Sequence, residues 1–183
     1  TLELMRAHIK EKDFSNEIWL LEHPPIFTLG TAADNSHVLD PKEIPVVQSD
    51  RGGEVTYHGP GQLVIYFLLD IKKLGCGPNK LVVAIQEFIK ELLSDLSIES
   101  SFIEGAPGVY VKNKKIASIG LRISKNKTYH GVSINFDMDL KPFTYINPCG
   151  YEGLEVTQIK DFNRSISKLQ LEELVIEKLR HIF

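Results

Sequence analysis

Cysteine is scarce. Cys76 and Cys149 are the only two in 183 residues, too few for a disulfide scaffold. A chain of this length can instead bury a real apolar core. Its 43% hydrophobic and 25% charged residues are ordinary for a soluble globular protein. Long apolar runs are missing: nothing approaches the roughly 20 residues of a membrane span, so no membrane partner is expected. A basic excess is missing too. Lys and Arg number 21 against 24 Asp and Glu, a net charge of −3, which leaves no footprint for nucleic acid. Residues at the start do not read as a signal peptide, and a reduced, cytoplasmic protein is the expectation. The first residue is Thr1 rather than Met, so a few native residues are expected to precede it. Paired Cys/His spacings of the zinc type are absent. So are a Walker loop, a GxGxxG match within 52–61, and a GxSxG elbow.

The hydrophobic pattern predicts one α+β domain over 1–183, a mixed sheet backed by helices. Leu2, Met5 and Ile9 suggest a short amphipathic helix over 2–12. Glu17–Glu22 and Ile26–Leu29 read as strands separated by His23-Pro24-Pro25, because proline breaks a ladder. Residues 31–44 read as loop, and 45–48 as a short strand. The unbroken apolar run Leu63–Leu69 predicts a strand buried on both faces. Leu81, Ile85, Phe88, Ile89 and Leu92 mark a helix over 79–96, with Asn79 as its expected N-cap. From 108 to 136 the period changes to two. That predicts a three-stranded antiparallel meander with turns at Asn113-Lys114 and Lys125-Asn126. Leu171, Val175 and Leu179 predict a closing helix at about 166–182.

Four stretches carry side chains suited to chemistry. Residues 51–62 (RGGEVTYHGPGQ) hold four glycines directly before the buried strand. Such a loop lets a ligand approach the backbone and can present N–H groups, or it is simply a tight connection. Cys149 lies between Pro148 and Gly150, where a thiol can face a cleft. Cys76 fits a small buried hydrophobe or a loop position. Lys115 shares the alternation of Ala117, Ile119, Leu121 and Ile123, if the strand is regular. On that apolar face its pKa would fall and it could act as a base; the alternative is a lysine snorkelling into water. His58 and His130 are rival bases for Cys149. Spacing alone leaves the choice between Lys and His open.

Together, RGGEVTYHGPGQ (51–62), APGVYVKNKKIASIGLRI (106–123), HGVSINFDMDL (130–140) and INPCGYEG (146–153) resemble the octanoyltransferases of lipoate biosynthesis. Residues 18–25 (IWLLEHPP) and 45–50 (PVVQSD) extend the resemblance to roughly 17–160. It implies a biotin/lipoyl protein ligase-like fold, whose usual strand before the first helix is expected to be absent or truncated here. It implies that Cys149 is a nucleophile carrying an acyl thioester and that Lys115 lowers its pKa and relays protons. It further implies a substrate pocket built from Arg51, Gly52, Gly53, Glu54, Val55, Thr56, Tyr57 and His58. Ser118, Ile119 and Gly120, with Gly131, Val132 and Ser133, would complete that pocket.

The implied reaction moves an octanoyl group from the phosphopantetheine arm of acyl carrier protein to a lysine. That lysine belongs to a lipoyl domain of a 2-oxoacid dehydrogenase or to the glycine cleavage H protein. No ATP, metal or other cofactor is implied. Backbone N–H groups at Gly52–Gly53 and 118–120, with His58, are the expected oxyanion stabilisers. Lys112, Lys114, Arg122, Lys125 and Lys127 are expected to cluster at two adjacent hairpin tips and steer the acidic carrier protein, unless they form only a solvated face. Three other activities remain open at this stage. An ATP-dependent ligase of the same fold would need no cysteine, a non-catalytic protein would only bind lipoyl domains, and a shuttle would move acyl groups between them.

Overall fold

The computed structural model describes the backbone of residues 1–182 and the side chains of residues 1–180. Its largest sheet is antiparallel throughout, in the order β1-β5-β9-β8-β7-β6. These strands are β1 (Glu17–Leu21), β5 (Gln62–Leu68), β6 (Ser101–Ile103), β7 (Ala106–Val111), β8 (Lys114–Ser124) and β9 (Lys127–Asn135). A smaller sheet, β3-β2-β4, joins β2 (Ile26–Leu29) to β3 (Val46–Gln48) in parallel and to β4 (Thr56–His58) antiparallel. The mixed pairing expected of the fold therefore sits in this small sheet.

β5 is the hinge between layers, and its alternation explains why it reads as continuously apolar. Leu63, Ile65 and Phe67 face α2 (Pro78–Asp95) and α3 (Lys168–Ile182), whose Ile85, Phe88, Leu92, Leu171 and Val175 complete the main core. Val64, Tyr66 and Leu68 face the other way, onto Met5 of α1 (Leu2–His8), Phe14 and Tyr129. A third cluster joins Phe27, Leu29, Val55 and Tyr57 of the small sheet to Phe143 and Ile146. Cys76 packs against the main core, as a small hydrophobe would.

Several boundaries differ from the sequence pattern. α1 ends at His8, not at residue 12. The His8 ring engages the Ser15 carbonyl, and the amides of Lys10 and Glu11 close tighter turns onto Ala7 and His8. The cap of α2 is Gly77 rather than Asn79, because Pro78 takes the first helical position, where its missing N–H costs nothing. β4 lies inside the glycine-rich stretch, where three residues between turns leave too little pattern to read. β6 likewise precedes the meander unannounced.

The two meander turns fall at Lys112-Asn113 and Lys125-Asn126, each with both central residues at positive φ. That geometry matches the right-handed twist of the flanking strands. The first turn is thus one residue earlier than expected. The turns also lie at opposite ends of β8, about 33 Å apart at ~3.3 Å per residue. The expected basic cluster therefore does not form. Lys114 pairs with Glu155, and Lys127 donates to the Ile9 carbonyl.

Gly131 shows how tightly β5 and β9 approach. A Cβ there would come within 2.0 Å of the Ile65 carbonyl oxygen. Gly131→Ala should cost about 2–4 kcal/mol of unfolding free energy in urea titrations. A loss below about 0.5 kcal/mol would mean that the strands can part freely.

Candidate active site

A cavity of about 410 Å³ opens between the large sheet, the small sheet and α1. Its wall includes Cys149 and Lys115, together with Arg51, Gly53, Glu54, Val55, Thr56 and His58. Ser118, Ile119, Gly120, Gly131, Val132 and Ser133 line it as well. Two residues expected in the pocket lie outside it. Tyr57 points into the small-sheet core against Phe27 and Phe143, because alternation along β4 sends it opposite to Thr56 and His58. Gly52 is held behind the wall, where its N–H donates to the Leu121 carbonyl.

Cys149 and Lys115, 34 residues apart in sequence, meet at the cavity wall. Lys115 Nζ donates to Cys149 Sγ at 2.9 Å and to the Pro107 carbonyl at 3.0 Å. The ammonium also lies 5.2 Å from the centre of the Tyr110 ring. Neither His58 nor His130 occupies that place at the thiol.

The strand around Lys115 is not regular, and this irregularity delivers the lysine. Val109 pairs with Ala117 but Tyr110 with Lys115, so Ile116 is an extra residue in β8. A bulge of this kind puts successive side chains on one face. Ile116 and Ala117 both enter the main core. Lys115 is thereby turned off the apolar face expected for it and toward the cavity. Its backbone is held on both sides, with its N–H on the Glu155 carbonyl and its carbonyl on the Thr157 N–H.

Burial pulls the Lys115 pKa down, but the charge and hydrogen bond of Cys149 oppose this, and the net shift is upward from the ordinary lysine value. The lysine is thus held as an ammonium beside the sulfur. This corrects the expectation of a depressed lysine pKa.

Cys149 has left-handed backbone, φ 57°, in a short 3₁₀ turn over Pro148–Gly150. A non-glycine residue there carries strain that the surroundings must hold in place. Here its N–H donates to the Val55 carbonyl, and the amide of Asn147 donates to the His37 carbonyl. The Cys149 amide is therefore already committed.

Arg51 is buried, yet its guanidinium hydrogen bonds go to neutral oxygens: the Thr28 hydroxyl and carbonyl, and the Gly52 carbonyl. Burial lowers its pKa to about 10, still charged at neutral pH. His58 is pushed down to about 3 by burial and is neutral. The amide of Gln62 donates to the Tyr57 carbonyl and to Asn135, which leaves its oxygen to accept from His58 Nδ1 at 2.7 Å. The single ring N–H is then spent, so His58 is not the expected oxyanion donor, and nor is the amide of Gly52.

His130 sits at the far end of the wall. Burial lowers its pKa, and its Nε2–H donates to Asp50 at 2.9 Å. Burial would raise the Asp50 pKa, but hydrogen bonds from His130, Tyr129 and Arg6 hold it well below the usual carboxylate range. Thr28, Tyr66, His23, Leu2 and Met5 also line the cavity, and the sequence pattern did not single them out for it. The alternation in β5, which puts Tyr66 on the face opposite Ile65 and Phe67, was the available signal for one of them.

A cysteine in left-handed backbone and a buried lysine thus meet at the wall of one cavity in an α+β fold. The model of the lipoyl protein ligase A/B catalytic domain matches residues 2–180. The chain belongs to that family. Among its relatives, the octanoyltransferase of Vesicomyosocius okutanii subsp. Calyptogena okutanii is 47% identical over 176 residues, covering 96% of this chain and 85% of the relative. The octanoyltransferase of Stutzerimonas stutzeri is 52% identical over 174 residues, covering 95% and 78%. Among solved structures, lipoate-protein ligase A bound with ATP superposes with a TM-score of 0.74 at 13% identity, covering 98% of this chain and 76% of that one. The last likeness carries the fold alone. No helix among the described residues is long and apolar enough to cross a membrane.

Proposed function

We propose that this chain is an acyltransferase of protein lipoylation, working in the cytoplasm. It takes an octanoyl group from the thioester of acyl carrier protein and passes it to the acceptor lysine of a lipoyl domain. Lipoyl domains of 2-oxoacid dehydrogenases and the glycine cleavage H protein are the expected acceptors. The observation that carries this reading is the 2.9 Å contact between Lys115 Nζ and Cys149 Sγ at the cavity wall. The relatives' activity supports the octanoyl group, and the family supports a lipoyl acceptor.

The Lys115 ammonium stands at hydrogen-bond distance from Sγ, and the thiolate is the nucleophilic form of a cysteine. The thiolate attacks the donor's thioester carbonyl, and the tetrahedral adduct expels the pantetheine sulfur. Lys115 gives that leaving thiolate its proton and becomes a neutral amine. One thioester has replaced another, so this half-reaction needs no ATP, metal or other cofactor. The acceptor lysine, as its free amine, then attacks the acyl-Cys149. Lys115 takes the amine's proton, and Cys149 leaves as a thiolate beside a restored ammonium. The product amide is more stable than the thioester, which drives the second half-reaction.

The test is a transfer assay with two donor formats. Octanoyl-acyl carrier protein plus a lipoyl domain should yield the octanoyl-amide without ATP. Free octanoate with ATP should yield none. Transfer only in the second format would make the chain a ligase.

A further inference from the structure

The cavity is polar at one end and apolar at the other. Lys115, Cys149 and Glu54 mark the polar end. The other end is closed by Met5 and Leu2 of α1, with Val64 and Tyr66 of β5 beside them. The polar groups near that end satisfy one another. Tyr66 donates its hydroxyl proton to, or accepts one from, His23 Nε2 at 2.6 Å. Asp50 is taken up by Arg6, Tyr129 and His130. What faces the cavity there is hydrocarbon, a thioether and the rings of Tyr66, His23 and His130.

The geometry points to Met5, backed by Leu2, as the end-stop that sets the length of the acyl chain. This rests on the transfer reading of the same site. Along β8, Lys115 to Leu121 spans roughly 16 Å once the bulge is discounted, at ~3.3 Å per residue. Leu121 pairs with His130, whose N–H donates to Met5 Sδ at 3.5 Å. An extended octanoyl chain reaches roughly 10 Å from its sulfur, from C–C bonds of about 1.5 Å and one longer C–S bond. The side chains of Lys115 and Met5 reach inward from the two ends and take up the remainder. Eight carbons then span the distance from Cys149 to Met5, and further methylenes meet Met5.

An end-stop must be braced, and α1 is. Arg6 reaches Asp50 at 3.0 and 3.3 Å, and Lys127 Nζ donates to the Ile9 carbonyl at the helix end at 2.8 Å. Met5 itself is 1% exposed and packed among Val64, Tyr66 and Leu68. A methionine suits the position because its unbranched chain can fill an irregular gap.

The test offers the protein alone hexanoyl, octanoyl, decanoyl and dodecanoyl thioesters of pantetheine in competition, and reads the Cys149 adducts by intact mass. Met5→Ala opens the end and should raise labelling by the ten- and twelve-carbon donors relative to octanoyl by roughly tenfold, the worth of a methylene in an apolar pocket. Leu2→Trp intrudes from a less buried position and should shift preference toward six carbons by a similar factor. Folded variants with the wild-type chain-length profile would overturn the end-stop and leave the transfer reading intact. If Met5→Ala does not fold, the Leu2→Trp profile decides alone. A wild-type chain that takes no acyl group from any donor would overturn the transfer reading, and the end-stop with it.

Discussion

Cys149→Ser should lower octanoyl transfer by roughly ten-thousandfold or more while leaving the fold unchanged, on the scale seen when a catalytic nucleophile is removed. Serine differs from cysteine by one atom and can occupy the same left-handed backbone, so the turn over Pro148–Gly150 and its hydrogen bond to Val55 should persist. The chemistry does not persist. Lys115 Nζ lies 2.9 Å from Sγ, and sulfur is intrinsically the stronger nucleophile. A serine hydroxyl is a far weaker acid, and the ammonium has no free base to offer it. The check is a rate measurement on both proteins, with thermal unfolding to show that the variant is folded. Residual transfer within tenfold of wild type would place the nucleophile elsewhere.

Lys115→Met should lower the rate by about a hundredfold to ten-thousandfold, the usual range for losing a general acid–base. Methionine fills a similar volume without the charge. It removes the cation beside the sulfur and, with it, the group proposed to handle the proton in both half-reactions. Lys115→Arg should not rescue, because a guanidinium holds its proton too firmly to return it.

The pH profile carries an independent sign. The Lys115 pKa is raised in the folded chain. The ammonium's favourable contribution is therefore fully present below the unfolded lysine value of about 10.4, and it is lost as pH rises through the folded value. Adduct formation should keep its alkaline limb above pH ~10.4, and Lys115→Met should abolish that limb. An alkaline fall centred near pH 8 would mean that the lysine is not held as an ammonium.

Much of this architecture is readable from patterns that depend on neighbouring residues only. The seven apolar residues of the buried strand, the helical repeat from Leu81 to Leu93 and the alternation of the meander each follow from one period kept over many residues. What escapes is local irregularity. β4 has three residues between glycine turns, too few to show a period. The extra residue at Ile116 leaves no mark in composition, yet it decides which face Lys115 takes. The basic residues at 112–114 and 125–127 are close in sequence, but an eleven-residue strand carries them to opposite ends of the sheet. The resemblance to octanoyltransferases pointed to Cys149 and Lys115, whereas residue spacing alone could not choose lysine over histidine. The choice depends on a contact between segments 34 residues apart. Met5 was legible as an apolar residue on a helix and not as part of the cavity, because nothing in residues 2–12 says what that helix covers.

The most direct measurement is the intact mass of the protein after mixing with octanoyl-acyl carrier protein, without ATP or acceptor. The account predicts one octanoyl adduct that hydroxylamine removes, that Cys149→Ser does not form, and that a lipoyl domain discharges. An adduct that resists hydroxylamine or persists in Cys149→Ser would contradict it, as would octanoyl transfer to the lipoyl domain with no adduct at any time.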